Sequence, residues 1–181
     1  MIFAHDTRWA LLSAVALINT HRDGEEYLTT TADLTDYLDE WKTTGRRDGT
    51  GAELAAVRAV RPLLRAVWEA DDGSPRAARI NALLDGAAWR PYLTSHAEMA
   101  EWHLHPNSPE APVADRLMAE CGLAFVDVMR MDEEQRLRIC AAQDCTAVLV
   151  DFSRNRSKRF CDTGNCGNRE HVAAYRARKR A

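Results

Sequence analysis

Apolar residues recur along the first 130 positions with the spacing of buried helices. After Asp6, read as an N-cap, Trp9, Leu11, Leu12, Val15, Ala16, Leu17 and Ile18 form a run too dense for a surface strand and long enough for a buried helix. Leu34, Tyr37, Leu38 and Trp41 repeat at helical intervals within Asp33 to Thr44, before the Gly45 stop, and 46–51 reads as a loop. Leu54, Val57, Leu64, Val67 and Trp68 mark a longer helix from about Ala52 to Ala70, which Pro62 kinks or divides. Ser74-Pro75 opens a short helix carrying Ile80, Leu83 and Leu84 and ending at Gly86. The character then changes. Trp89 to Leu93 and Met99 to His105 are short and aromatic-rich, bounded by Thr94-Ser95 and Pro106-Asn107-Ser108, which predicts a hairpin. From Pro112 to Met131, Val113, Leu117, Met118, Cys121, Phe125, Val128 and Met129 trace one helical face, despite Gly122 in the middle. The pattern predicts a mostly α N-terminal domain with a small β-hairpin, residues 1–131, and a second unit, residues 132–181, beginning at Asp132-Glu133-Glu134.

Composition narrows the class. With 46% hydrophobic and 28% charged residues, the 181-residue chain can bury a core, which excludes a disordered tail or a fibrous repeat. No apolar run approaches the ~18 residues of a membrane span. The start, Met1-Ile2-Phe3-Ala4-His5-Asp6, lacks a basic segment followed by an apolar stretch and cleavage site, so a cytoplasmic protein without membrane partners is expected. Charge is uneven: 13 Lys and Arg against 23 Asp and Glu up to Gln135, a balance of −10, then 11 against 4 from Arg136, a balance of +7. A basic C-terminal quarter points to a polyanionic partner.

That quarter also holds the most informative spacing. Cys140 and Cys145, then Cys161 and Cys166, form two C-x4-C pairs separated by a strand-turn-strand length. Four thiolates at two knuckles suit one tetrahedral Zn2+ ion. Ala147 to Val150 is strand-like, Ser153 to Arg156 turn-like, and Lys158-Arg159-Phe160 reads as the return strand. Two disulfides are the alternative, disfavoured in a cytoplasmic protein. Four thiolates close the coordination sphere, so the zinc is expected to be structural. Cys121, on an apolar helical face, is expected in the core. The segment after Cys166 reads as a helix, with Val172 and Tyr175 able to pack on the hairpin and Arg169, Arg176 and Arg180 on another face. Knuckle, hairpin and helix resemble a small treble-clef finger.

Cys140-x4-Cys145, Asp151-Phe152-Ser153-Arg154-Asn155, Arg159-Phe160-Cys161, Cys166-Gly167-Asn168-Arg169 and Tyr175-Arg176-Ala177-Arg178 resemble the CGNR zinc finger family. Leu17-Ile18-Asn19-Thr20 and Leu38-x2-Trp41 resemble the helical ABATE domain that precedes this finger in bacterial proteins. Phe160 stands where the family often has Trp; both are aromatic. The resemblance implies a stress-induced transcription regulator.

A basic helix whose first turn offers N–H groups and a positive dipole end suits a phosphate backbone. Arg154, Arg156, Lys158, Asn168, Arg169, Arg176, Lys179 and Arg180 are the candidate double-stranded DNA contacts. Asn168 and Arg169 are open to two roles: reading adenine and guanine in the major groove, or setting the helix start and donating to the zinc-bound thiolates. His171 is read as an exposed helical residue, not a ligand. In the N-terminal domain, His96, His103 and His105 beside Trp89, Tyr92 and Trp102 hint at a metal or anion site, but without a third well-spaced ligand they read as surface histidines beside core aromatics. No Gly-rich phosphate loop, nucleophile elbow or H-E-x-x-H occurs, so no enzyme is expected. The expectation is a DNA-binding regulator with a helical sensor or oligomerisation domain, open to a small-molecule effector and to homodimerisation. The alternative is a finger that binds protein or RNA.

Overall fold

The computed structural model describes residues 3–96 and 99–180, without the side chains of Met99, Ala174, Ala177 and Arg180. Its described residues form six α-helices and three two-stranded antiparallel hairpins. Helix α1, His5–Asn19, begins from Ala4, and Asp6 lies inside its first turn, accepting from Thr7 N at 2.8 Å. The hairpin β1, His21–Arg22, and β2, Glu25–Glu26, turns through Asp23 and Gly24, both in the left-handed region (φ 54° and 84°) that a tight two-residue turn requires. Helix α2, Thr31–Glu40, starts earlier than its apolar spacing suggested because Thr30 is the cap. Asp33 N donates to Thr30 Oγ1 at 3.1 Å and Thr30 N donates back to Asp33 Oδ2 at 2.7 Å.

Helix α3, Gly51–Glu69, continues through Pro62 as one helix and is not divided by it. The Arg58 carbonyl, deprived of its usual partner by the missing Pro62 N–H, accepts from Arg61 Nε at 3.3 Å. Helix α4, Ser74–Asp85, packs on α3 and on α5, Val113–Arg130. Gly122 permits that approach: a Cβ there would lie 3.0 Å from Leu84 Cδ2. Between α4 and α5, strands β3, Tyr92–His96, and β4, Met99–His105, pair. The first strand thus lies three residues later than the aromatic pattern suggested, with Thr94 and Ser95 inside it. Trp89 belongs instead to the connection from α4, its Nε1 donating to Leu84 O at 2.6 Å while Arg90 N donates to Pro106 O at 2.9 Å.

After a 3₁₀ turn, Glu134–Arg136, strand β5, Leu137–Ile139, pairs with β6, Val148–Val150. The partner of β6 is therefore the segment before the first cysteine, not the expected return strand 158–160. Asp151 is the reason: its buried carboxylate accepts from Ser153 N (2.9 Å), Ser153 Oγ (2.6 Å) and Lys158 N (2.9 Å), folding 151–158 into a compact loop. Helix α6, Cys166–Arg180, ends the described chain. Among the described residues no helix is long and apolar enough to cross a membrane.

Strand β6 is buried on both faces. Val148 and Val150 join the main core with Leu11, Leu17, Val57, Leu64 and Phe125, while Ala147 and Leu149 join a smaller cluster made by the four cysteines, Ala142 and Phe160. On the edge of β6 turned away from β5, Asn19 takes both backbone groups of Val148: Nδ2 donates to Val148 O and Val148 N donates to Oδ1, each at 2.9 Å. Trp68 Nε1 donates to Leu149 O at 3.0 Å. Arg136, 2% exposed, donates to Asp151 O at 2.7 Å, Ser153 O at 2.9 Å and Glu133 Oε2 at 2.6 Å. The helices and the cysteine-bearing segment thus share one seam.

Replacing Asn19 with Ala leaves two buried backbone groups of Val148 without partners. At about 1–3 kcal/mol per group, less relaxation, urea unfolding should show a loss of roughly 2–4 kcal/mol. A loss below about 0.5 kcal/mol would mean that Asn19 does not hold the seam.

Candidate metal centre and nucleic-acid interface

The first cysteine pair occupies the tip of the β5–β6 hairpin. Cys140 N donates to Ala147 O at 2.8 Å and Cys145 N to Ala142 O at 3.3 Å, closing residues 140–147 into a knuckle. The second pair brackets a turn in which Asn165 takes a left-handed φ of 51°, after which Cys166 opens α6. All four thiols are buried, with sulfurs within 4.8 Å of one another. Cys145 Sγ lies 3.8 Å from Cys161 Sγ, and Cys161 Sγ lies 3.7 Å from Cys166 Sγ. A tetrahedral zinc ion bound at ~2.3 Å has sulfur–sulfur edges of about 3.8 Å, so the four cysteines fit one such ion and no disulfide.

Other features suit the same occupant. Cys161 N points at Cys140 Sγ at 3.5 Å. A Cβ on Gly164 would come within 3.0 Å of Cys166 Sγ and 3.8 Å of Cys161 Sγ, so the sulfurs fill the space a larger residue would need. Burial, with the other three thiols adding to it, pushes the Cys145 thiol up. Four thiolates packed this closely require a cation. Gly167, in the first turn of α6, sits beside the Phe160 ring, 3.5 Å from where a Cβ would lie. His171 is exposed on α6 and takes no part in the cluster.

Of the two roles open to Arg169, the geometry has the thiolate one. Its guanidinium grips Asp144 bidentately, at 2.6 and 3.0 Å, and donates to Cys166 Sγ at 3.3 Å. These bonds raise the guanidinium further above its ordinary range and lower Asp144. The exposed ion pair alone contributes little to stability; its effect is to hold a donor on a sulfur and to tie the second knuckle to the first. Asp144 carried no distinctive signal in the sequence, because its partner lies 25 positions away.

The remaining candidate contacts divide. Arg154, Asn168, Arg176 and Lys179 are exposed. Arg156 pairs with Glu133 at 3.1 Å and Lys158 with Asp162 at 2.5 Å, so neither is a free cation. The side chain of Arg180 lies outside the described residues. Two expectations fail. Val172 and Tyr175 do not pack on the hairpin but are 40% and 53% exposed, since α6 leaves the finger after its first turn. The first turn of α6 is also less open than expected, because Cys166 at its first position is fully buried against the other sulfurs, although Asn168 and Arg169 behind it are exposed.

His96, His103 and His105 come together on one face of the β3–β4 hairpin. The ring of His105 is pushed down to about 4, first by burial and then by His103 and His96, so it is neutral near pH 7. Glu120, on α5 beside it, is pushed up to about 7 by enclosure against the lowering effect of Arg116. Cys121 packs in the core, its thiol raised by burial.

Fold and sulfur geometry together define a zinc-finger protein whose cysteine-bearing hairpin is built into a helical domain. Residues 136–179 match the CGNR zinc finger. Residues 13–132, more than half of the chain, match ABATE, described as a putative stress-induced transcription regulator, and the chain belongs to that family. No individually curated protein matches it.

Removing the Arg169 guanidinium should loosen the metal without unfolding the helices. Arg169→Ala is expected to weaken zinc retention about 10- to 100-fold in competition with a chromophoric chelator, and Asp144→Ala should act in the same direction. Unchanged retention in both variants would remove the thiolate role.

Proposed function

We propose that this family member is a DNA-binding transcription regulator, in which Cys140, Cys145, Cys161 and Cys166 hold one structural zinc ion and the finger docks on duplex DNA. The observation that carries the reading is α6: Asn168, Arg176, Arg178 and Lys179 are exposed on a helix anchored only by its first turn, and exposed Arg154 adds a further cation from the 153–156 turn. When bound, zinc ties the two knuckles together and has no open position for a substrate, which supports a non-enzymatic role. Asp151 and Arg138 hold the loop that presents Arg154, Arg138 donating to Lys158 O at 3.1 Å and Arg156 O at 2.8 Å. The acidic helical part, −10 in formal charge up to residue 135, keeps its distance from phosphate and leaves the basic helix as the approach surface. A cytoplasmic location follows from this reading, and a homodimer would pair two half-sites.

One observation favours a second reading, a finger that binds protein or RNA. Asn168, Val172, Tyr175 and Lys179 fall on one stripe of α6, and its two apolar members are exposed.

For the zinc-loaded full chain, about four free cations should give log K against log salt a slope of roughly −3 to −4. Arg176→Ala and Arg154→Ala should each flatten it by about one, whereas Arg156→Ala, already paired with Glu133, should change it little. Cys161→Ser should lose the finger's zinc and the binding together. If the zinc-loaded chain shows no salt-sensitive binding to any duplex pool while Tyr175→Ala abolishes capture of single-stranded RNA or of a protein partner, the second reading replaces the first.

A further inference from the structure

The β3–β4 hairpin places three imidazoles in the wall of a cavity of about 260 Å³ between α1, α5 and the hairpin. His103 Nε2 is the hub, 3.1 Å from His96 Nε2 and 3.0 Å from His105 Nε2. His103 is 7% exposed, and its other nitrogen, Nδ1, lies 2.8 Å from Glu101 O. A carbonyl can only accept, so Nδ1 donates there, and in the tautomer with a single ring proton Nε2 presents a bare lone pair. One lone pair cannot receive well-formed hydrogen bonds from two imidazoles at once. A cation at the point where the three nitrogens converge satisfies all of them.

We propose that His96, His103 and His105 form a second metal site, distinct from the four-thiolate centre, for a divalent first-row cation of the zinc, cobalt or nickel class. Imidazole suits these metals, and a tetrahedral ion with nitrogens at ~2.0–2.1 Å has nitrogen–nitrogen edges of about 3.3 Å, within a few tenths of the two spacings here. The Nδ1–H to carbonyl contact of His103 is the arrangement that fixes the tautomer of a metal-ligating histidine. Glu120 Oε1 lies 3.9 Å from His105 Nδ1 and is placed to do the same for His105 after a small shift. The cavity is acidic as well: Asp6, Glu120 and Asp127 line it against one lysine, Lys42. Three protein ligands leave the fourth position open, and it faces this cavity, unlike the closed sphere of the four cysteines. Metal there would fasten β3 to β4 and make the cavity responsive to metal supply or to a small ligand at the open position.

Tag-free full-length protein with its finger zinc in place provides the test. Titration with Co2+ should add one equivalent per chain, with the d–d absorption of a nitrogen-ligated tetrahedral ion and no thiolate-to-cobalt charge-transfer band. His103→Ala and, separately, His96→Gln at the half-buried end of the hairpin should each lose that equivalent while keeping the finger zinc. Glu120→Gln should weaken it about tenfold. Circular dichroism checks the fold of each variant; if His103→Ala unfolds, the wild-type titration and His96→Gln decide. No added equivalent at micromolar free cobalt, cobalt found only on thiolates, or undiminished binding in His96→Gln would overturn the site.

Discussion

Val148 and Val150 point into the helical core and Ala147 and Leu149 into the cysteine cluster, with no residue between them to let the two cores move independently. Strand β6 is only three residues long and has one strand partner, so it depends on the helices for its other edge. Asn19 acts there as a substitute strand, presenting an amide carbonyl and an amide N–H at the spacing of a backbone, and Trp68 adds a donor to the neighbouring carbonyl. The thiol geometry inherits this arrangement. Cys140 and Cys145 sit on the turn that joins β5 to β6, and their positions relative to the second knuckle are set by a hairpin the helices hold in place.

The basic character of the C-terminal segment overstates its free charge. Arg136 and Arg138 spend their guanidinium groups on carbonyls of the 151–158 loop, Arg169 on Asp144 and Cys166, and Arg156 and Lys158 on carboxylates. Arginine suits such work because its five donors lie in a fixed fork that can satisfy several carbonyls or a carboxylate and a sulfur together. What remains for a partner is concentrated on α6 and the tip of one turn. A positive segment is therefore both the internal scaffold and the outer surface of the finger.

A similar economy governs the β3–β4 hairpin. It carries three histidines into the wall of the cavity, while Leu93 and Trp102 are exposed. The register shifts between Thr94 and His96, so that His96 pairs with Met99, four and six positions before His103 and His105 on the partner strand, and the three rings still meet on one face.

Much was legible in the chain itself. Helical apolar spacing located α1 to α5 to within a few residues, since each helix buries a continuous stripe, and the C-x4-C pairs picked out the four thiols that cluster, because their spacing is a local property. The helix opening at Cys166 was legible for the same reason. What the tertiary structure decided was every relation across a long sequence gap: the pairing of β6 with β5, the engagement of Asn19 with Val148, Asp144 beneath Arg169, and His96 beside His103 and His105. A residue's type and near neighbours record its preferences, but these partners are chosen by which surfaces the packed helices leave facing one another. Thr94-Ser95 reads locally as a turn and folds as strand; Val172 and Tyr175 read as a packing face and stand in solvent because α6 leaves the finger after its first turn. Local pattern determined the elements and the four clustered thiols, whereas burial against distant segments decided the hairpin partners, the histidine cluster and which arginines are free.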